Sequence, residues 1–433
     1  MEDVSNQRPR STTGLPRTIA QLASEVDDLL AASDRALDAD YPGAEPGRQP
    51  VHTAYVPADR FHPDLAGAWG RQALQALADC APTAADFGAA MGLPDELAAV
   101  VHERVLAKLS DEPVEDLRLD FEDGYKPAGA DDAAEDTDAL AAGGNLAAAA
   151  AAGSAPPFTG IRCKSLEAAT RLRAVRTISL FLEEVLARGP LPASFVVTLP
   201  KVSSVDQVLA MALLCDRFEH AFGLPAGQLR FEIQAEMPQL ILGADGCATI
   251  ARAVHAGGKR LVGVHYGTYD YAAALGIAGQ NQRLDHPAAD HARATLQVAV
   301  AGTSVRLSDG SLNTIPIGSR AEVIAAWQEH SRLVRRALER GFYQGWDLHP
   351  AQLASRFGAT YGFFVAGVPR ACERLRSYAQ LDSGGTLEEP ATARALAGFL
   401  IRGLDCGAVT ETEISQRCDL DRTALSALAH ARR

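Results

Sequence analysis

Apolar residues recur along the chain in two rhythms, one typical of strands and one typical of helices. Short apolar stretches near positions 52, 117, 158, 194, 229, 261, 303 and 343 end in polar residues and predict eight strands. Helical spacing between the later stretches, which recur roughly every 35 to 40 residues, predicts an α/β fold, a (β/α)₈ TIM barrel. A doubly wound open sheet is the competing architecture, but no GxGxxG follows a first strand.

Breaks in this rhythm divide the chain. Residues 1–48 contain "TIAQLASEVDDLLAASDRAL", whose spacing predicts an N-terminal helical extension. Residues 49–366 form the predicted barrel, and residues 367–433 predict a C-terminal helical region. Within the barrel, residues 128–157 are rich in Ala, Asp, Gly and Pro, and this low complexity predicts a mobile surface loop with a helical turn or two.

Composition narrows the classes of function. The formal net charge of -13 argues against binding to nucleic acid or to an anionic membrane, because both attract a basic face. No run approaches the roughly 18 apolar residues of a membrane span, and the first residues include no apolar signal segment. The 7 cysteines are scattered without a CxxC pair, which is typical of reduced thiols. We therefore expect a cytoplasmic protein with neither nucleic-acid nor membrane partners.

Polar residues follow each predicted strand, and the active site of a (β/α)₈ barrel lies at the carboxyl ends of its strands. We therefore expect these side chains to meet in one layer that carries both signs of charge. They are Asp59, Arg60, Asp120, Glu122, Asp123, Arg162, Lys164, Lys201, Gln234, Glu236, His265, Tyr269, Asp270, Arg306, Asp309, Asp347 and His349.

Glu236 and Asp270 are the predicted metal ligands. Both follow apolar stretches on neighbouring predicted strands. Two carboxylates with open positions for water and a substrate oxygen suit Mg²⁺ or Mn²⁺. Either acid alone is as readily explained as a helix N-cap or a solvated loop residue, so the prediction depends on the pair.

Three other polar residues have two interpretations each. Arg162 lies in an apolar strand, where its guanidinium needs an anion, either a substrate carboxylate or one of the acids after strand two. Lys201 is interpreted either as a cation for the substrate or as a partner of those same acids. His349 precedes a proline, where it either contacts the substrate or caps the end of the final strand.

Seven short motifs lie in order on successive predicted strands. They are "AYVPADR", "LRLDFEDGY", "GIRCKS", "VVTLPKV", "FEIQAEMPQLIL", "GVHYGTYDYAAALGI" and "GWDLHPAQL". Together they resemble the motifs of the HpcH/HpaI aldolase and citrate lyase beta-subunit family, over roughly residues 50 to 365. The resemblance implies a (β/α)₈ barrel, a divalent metal, either Mg²⁺ or Mn²⁺, and a homo-oligomer, commonly a trimer or hexamer.

The resemblance also implies residue roles. Glu236 and Asp270 match the family's two metal carboxylates, and Arg162 matches the arginine that binds the substrate's carboxylate or carbonyl oxygen. Gln234 matches a glutamine that lies beside the metal glutamate in the pyruvate-aldolase branch.

The acidic motif after strand two, with Asp120, Glu122 and Asp123, matches the family motif that holds metal-bound water. Asp123 stands where the pyruvate-aldolase branch usually has His, which favours the citrate-lyase-like branch. The chain departs from the family pattern at Lys164, where a neutral Asn is common, and at Tyr269, beside the predicted metal.

These roles imply cleavage or formation of a carbon–carbon bond in a keto- or hydroxy-acid, or in its CoA thioester, through a metal-stabilised enolate. The predicted catalytic residues are Arg162, Asp120, Asp123 and Lys201, and the predicted substrate contacts are Arg162, Gln234, Tyr269 and His349. An acyl-CoA thioesterase or a malate-synthase-like condensing enzyme is an alternative at the same site. A catalytically inactive barrel that serves as a binding or regulatory module is the alternative of another class.

Overall fold

A sheet of eight parallel strands forms the centre of the computed structural model, which describes residues 15–126, 131–379 and 389–430. The strands are β1 (His52–Pro57), β2 (Asp116–Asp120), β3 (Phe158–Arg162), β4 (Val196–Leu199), β5 (Arg230–Ala235), β6 (Leu261–Tyr266), β7 (Arg306–Ser308) and β8 (Gly345–Asp347). Their order is β7-β6-β5-β4-β3-β2-β1-β8. A parallel bridge between Ser311 and Trp346 brings the β7 and β8 ends together. The predicted eight-stranded barrel is therefore confirmed.

Helices surround the barrel and extend it at both ends of the chain. The described residues form α1 (Leu15–Asp40), α2 (Leu65–Cys80), α3 (Ala84–Met91), α4 (Asp95–Asp111), α5 (Asp132–Ala152), α6 (Arg171–Arg188), α7 (Val205–Phe222), α8 (Pro238–Ile241), α9 (Thr249–Gly257), α10 (Thr268–Ala274), α11 (Pro287–Val300), α12 (Arg320–Glu339), α13 (Leu353–Ala379), α14 (Pro390–Asp405), α15 (Glu411–Cys418) and α16 (Arg422–Ala429). None of the described helices is both long and apolar enough to cross a membrane.

The segment predicted as a mobile loop, residues 128–157, is mostly a helix, so that prediction is wrong. Residues 127–130 lie outside the described part, and α5 then begins after Asp131, whose side chain accepts a hydrogen bond from Ala134 N. The helix ends at Gly153, which adopts a left-handed conformation with φ 68°. On its buried face, small residues let the helix lie close to α6: a Cβ at Gly143 would lie 2.7 Å from Phe181 O.

Beyond the barrel, α13 continues through the predicted boundary at residues 366 and 367. Its second half packs with α14, α15 and α16 around a small apolar core that includes Leu375, Leu400, Ile414 and Leu425. The predicted N-terminal and C-terminal helices are thus present, whereas the division into domains stays a prediction.

The barrel interior is filled at mid-height by charged side chains. Arg118 on β2 donates from Nε and Nη2 to Glu232 on β5, at 2.8 and 3.0 Å. Because β2 and β5 are not neighbours in the sheet, this contact crosses the interior. Asp116 accepts from Arg118, and His265 Nε2 lies 3.1 Å from Glu232 Oε2. We call Asp116, Arg118, Glu232 and His265 the interior ionic layer; branched aliphatic residues usually fill this position.

Candidate active site

A cavity of about 390 Å³ lies at the carboxyl ends of the strands, above the interior ionic layer. Six of the residues with a predicted catalytic, substrate-binding or metal-binding role line it: Asp120, Asp123, Arg162, Glu236, Tyr269 and Asp270. Arg60, from the predicted polar layer, lines it as well. The fold therefore brings together acids and a base that are separated by up to 150 positions in the sequence (Asp120 to Asp270).

The loop after β2 folds back on Asp120. Its Oδ1 accepts a hydrogen bond from Glu122 N at 2.9 Å, and its Oδ2 accepts one from Gly124 N at 3.0 Å. A Cβ at Gly124 would lie 2.6 Å from Asp120 Oδ2, so this close approach requires glycine. The same carboxylate accepts Nε and Nη2 of Arg162, both at 2.7 Å. Each oxygen of Asp120 therefore accepts one hydrogen bond from the loop and one from Arg162.

Arg162 is held on three sides. Besides the two-pronged pair with Asp120, its guanidinium lies over the ring of Tyr55, with 5.0 Å to the ring centroid. Its third nitrogen, Nη1, lies 3.4 Å from Gln234 Oε1 and 3.6 Å from Glu122 Oε2. Burial opposes the charge, but Asp120 outweighs it and raises the pKa of Arg162 well above its usual range. The ion pair with the β2 acids is thus present, and Nη1 is the nitrogen left to bind a substrate.

Lys201 ties the acids of the cavity together. Its Nζ donates to Glu122 and, at 2.9 Å, to Asp123 Oδ2, and it lies 3.9 Å from Asp270 Oδ2. Its φ of 52° is in the left-handed region, which is strained for a residue with a side chain. This conformation accompanies a hydrogen bond from Lys201 N to Glu236 Oε1 at 2.7 Å.

Glu236 and Asp270 are poorly compensated carboxylates. Glu236 is 1% exposed, and burial raises its pKa to about 7, although Arg162 and Lys201 favour its charged form. Burial also raises the pKa of Asp270, against the charge of Lys201 and together with the charge of Asp123. A Cβ at Gly267 would lie 2.6 Å from Glu236 Oε2, so the chain leaves room there for the carboxylate.

This donor set fits a hard divalent cation. The buried and underneutralised charge of Glu236 favours a bound cation, Asp270 offers a second carboxylate that is 41% exposed, and carboxylate oxygens are the ligands that Mg²⁺ prefers. Within the described ranges, no group of three or more His, Cys, Asp or Glu converges as a metal site. A cation on Glu236 and Asp270 would therefore keep several positions for water and substrate.

Three predicted site residues do not line the cavity. Gln234 is fully buried behind Arg162, and its Nε2 donates to Tyr55 OH at 3.3 Å. Lys201 acts on the lining acids, as described above. His349 Nδ1 accepts a hydrogen bond from Ala351 N at 3.2 Å and so caps the short helical turn of residues 350–352. Their predicted roles in catalysis or substrate binding stay predictions.

Two aromatic residues that the sequence did not single out line the cavity. Tyr55 and Trp346 lie with their ring centroids 4.7 Å apart. Tyr55 is two positions before Pro57 in β1, and residues at this spacing share one face of a strand. Strand alternation was therefore the signal that could have placed Tyr55 inside the barrel.

The sequence matches one protein family over most of its length. A family described as a domain of unknown function, DUF6986, matches residues 30–433. No curated protein sequence shows a significant match to this chain.

Solved structures resemble this barrel at low sequence identity. A citrate lyase from Burkholderia xenovorans LB400 superposes with a TM-score of 0.57 and 16% identity, over 86% of this chain and 97% of that chain. CitE from Mycobacterium tuberculosis, solved with magnesium, acetoacetate and coenzyme A, gives 0.46 and 19%, over 82% and 98%. Malate synthase from Haloferax volcanii gives 0.48 and 13%, over 90% and 99%. The first likeness supports the predicted family resemblance at the level of the fold, and the other two are too distant to carry an argument.

Proposed function

This chain belongs to the DUF6986 family, a domain of unknown function, and we propose that it is a divalent-metal-dependent carbon–carbon lyase or aldolase acting on a keto- or hydroxy-acid or its CoA thioester. One observation carries the proposal: Glu236 and Asp270 are two carboxylates of raised pKa in a cavity whose arginine is already paired. The shared fold with a citrate lyase supports it.

Glu236 and Asp270 would hold Mg²⁺ or Mn²⁺. When bound, such a cation supplies Lewis-acid stabilisation of the negative charge that develops on an enolate oxygen. Lys201 keeps Glu236 in place through its backbone N–H, which donates to Oε1. Glu236 Oε2 lies against Gly267, where any side chain would collide with it, so glycine at this position lets Glu236 keep the place from which it would help to hold the cation.

Arg162 would orient the substrate. Its Nη1 donates to a carboxylate or carbonyl oxygen, while Asp120 and the Tyr55 ring prevent the guanidinium from turning. Tyr269 lines the same cavity, and its hydroxyl is fixed by accepting a hydrogen bond from Asn313 N at 2.7 Å. Its ring would then limit the width of the substrate.

Asp123 would take the proton of the substrate hydroxyl. Its Oδ2 accepts from Lys201 Nζ, which holds the carboxylate at the edge of the cavity. Burial raises the pKa of Asp123, but hydrogen bonds and charge from Lys201 outweigh it, so the carboxylate is ionised at neutral pH. An ionised, anchored carboxylate is suited to accept a proton in the transition state.

The test is a metal titration with a product assay. Protein stripped with EDTA is assayed for release of pyruvate, glyoxylate or oxaloacetate from a panel of keto- and hydroxy-acids, with Mg²⁺ or Mn²⁺ added back. We expect activity to depend on the metal and to fall by about 100-fold or more in Glu236→Gln and Asp270→Asn, because each loses a ligand. Asp245→Asn, at an exposed surface acid, is the control. Unchanged activity in both ligand variants would refute the proposal.

The predicted alternatives give different outcomes in the same panel. Release of free thiol from CoA esters without keto-acid chemistry would indicate the thioesterase, and consumption of an aldehyde acid would indicate the condensing enzyme. Absence of metal binding would indicate the inactive binding module. The trimeric or hexameric homo-oligomer also stays a proposal, which light scattering on the purified protein tests.

A further inference from the structure

A line of hydrogen bonds runs from the interior ionic layer to the cavity. Glu232 Oε2 is 3.1 Å from His265 Nε2, and His265 Nδ1 is 3.4 Å from the hydroxyl of Tyr55. That hydroxyl accepts from Gln234 Nε2 at 3.3 Å, and Gln234 Oε1 faces Arg162 Nη1 at 3.4 Å. All five side chains are buried, so water does not compete for these contacts.

The donors and acceptors along this line agree in only one direction. Arg162 has no acceptor, so Gln234 must turn its oxygen toward Arg162 and its NH₂ group toward Tyr55. The hydroxyl of Tyr55 accepts from that NH₂ group and must donate its own hydrogen to His265 Nδ1. His265 then carries its proton on Nε2, which donates to the carboxylate of Glu232.

We propose that the hydroxyl of Tyr55 is a positioning group: it holds the amide of Gln234 with its oxygen toward Arg162, and this keeps Nη1 of Arg162 in place to donate to an anionic substrate oxygen. The inference rests on the proposed function, because it concerns the oxygen that this site would bind. Tyr55 acts through Gln234 and Arg162, and its hydroxyl does not itself meet the substrate.

The other contacts of Arg162 hold the guanidinium but do not orient the amide of Gln234. Asp120 holds Nε and Nη2 in the plane of the guanidinium, and the ring of Tyr55 covers one face. Because the guanidinium is rigid and planar, these contacts also fix the position of Nη1, whose nearest polar neighbours are Gln234 and the carboxylate of Glu122. They do not decide which end of the Gln234 amide faces Nη1. Without the Tyr55 hydroxyl the amide could turn its NH₂ group toward Nη1, and two facing donors would repel and displace the guanidinium from the position that suits the substrate. An apolar layer in place of the interior ionic layer could fill the same space. It would offer the Tyr55 hydroxyl no acceptor such as His265 Nδ1, and the hydroxyl would then not be oriented toward it.

The experiment measures binding of oxalate, a planar dicarboxylate that resembles an enolate of pyruvate, in saturating Mg²⁺. Calorimetry gives its Kd for the wild-type protein and for Tyr55→Phe, which keeps the ring and removes the hydroxyl. Tyr361→Phe is the matched control. Tyr361 is equally buried and donates its hydroxyl to Cys406 O at 2.7 Å, far from the cavity in a different part of the fold.

We expect Tyr55→Phe to bind oxalate about tenfold more weakly, which corresponds to about 1.4 kcal/mol. Tyr361→Phe should melt at a lower temperature while it binds oxalate as the wild type does. Gln234→Met, which removes the amide at similar volume, should lose the same factor, and the double variant with Tyr55→Phe should lose no more than either single one.

Two results would overturn the inference in different ways. If the wild type binds oxalate and Tyr55→Phe binds it within twofold, the positioning role is wrong and the proposed function stands. If the wild type with Mg²⁺ does not bind oxalate, the proposed function fails and the inference falls with it. Should Tyr55→Phe not fold, Gln234→Met decides alone: unchanged affinity refutes the positioning role, and a tenfold loss supports it.

Discussion

Glu232 in β5 and Glu236, the residue that follows β5, lie four positions apart, and their surroundings differ sharply. Glu232 accepts two hydrogen bonds from Arg118, one from Thr198 and one from His265. Glu236 accepts one, from Lys201 N. Burial favours the protonated form of both, but Arg118 and His265 hold the pKa of Glu232 well below its usual range, whereas the pKa of Glu236 rises to about 7.

The number of hydrogen bonds that each carboxylate accepts distinguishes a structural role from a functional one. A buried carboxylate with all its hydrogen bonds made is part of the scaffold, and replacing its partners leaves a buried charge. A buried carboxylate without such partners is costly to fold, and this is why we propose a cation there. Glu232 therefore stabilises the barrel, whereas Glu236 is one of the two carboxylates that we propose to bind the cation.

The largest expected effect is on Glu232. Glu232→Gln should lower the free energy of unfolding by about 3 kcal/mol, because it removes one of the two carboxylates paired with the buried guanidinium of Arg118 and leaves Asp116 as the other. Urea denaturation of the metal-free protein measures this. Glu236→Gln, made in parallel, should be as stable as the wild type or more so. An equal loss of unfolding free energy in the two variants would show that the two carboxylates contribute to stability in the same way, and this would contradict the comparison.

Stability should depend on pH through Glu236. Its pKa is raised from 4.5 to about 7, so the folded state binds a proton that the unfolded state releases between these values. In EDTA, the free energy of unfolding should therefore fall as pH rises from about 4.5 to about 7, by about 3 kcal/mol in all. The difference between wild type and Glu236→Gln isolates this contribution, and saturating Mg²⁺ should remove it. A flat difference curve would show that Glu236 has the same pKa in the folded and unfolded states, so that neighbouring charges already compensate its burial in the metal-free protein.

The smallest effect concerns His349, a predicted substrate contact whose observed contact is a cap. His349→Ala should cost about 1 kcal/mol of stability, because Ala351 N loses its acceptor. Oxalate affinity should stay within twofold of the wild type. A tenfold loss of affinity for oxalate at unchanged melting temperature would indicate that His349 contacts the substrate, as the sequence predicts.

The barrel and most of the cavity could be predicted from the sequence because both depend on a local rule. Each strand is an apolar stretch that ends in a polar residue, and in a parallel barrel these ends meet wherever they lie in the chain. Asp120, Arg162, Glu236 and Asp270 line the cavity for this reason. Which of them pair with each other could not be read from the same rule, because Arg162 had several acids within reach.

The interior ionic layer was missed because of how β2 alternates. The apolar stretch near position 117 predicted a strand, and its Leu117 and Leu119 are buried. Because side chains alternate along a strand, they lie on the face opposite Arg118. Asp116 and Arg118 occupy the opposite face, which a simple barrel would fill with aliphatic residues. Their partners on β5 and β6 are more than 100 positions away, so no local pattern shows that the charges are matched.

The Ala- and Gly-rich helix α5 has a consequence for anyone who edits this protein. Residues 132–152 look like a dispensable tether, the kind of segment chosen for a deletion or for the insertion of a reporter. They form the outer wall between β2 and β3, and Glu135 in this helix lies 3.2 Å from Nζ of Lys164, whose ammonium also holds the carbonyl of Phe121 beside the acids of the cavity. A deletion here would therefore remove a partner of Lys164 and disturb the loop that carries the acids of the cavity, although the deleted residues lie outside the barrel.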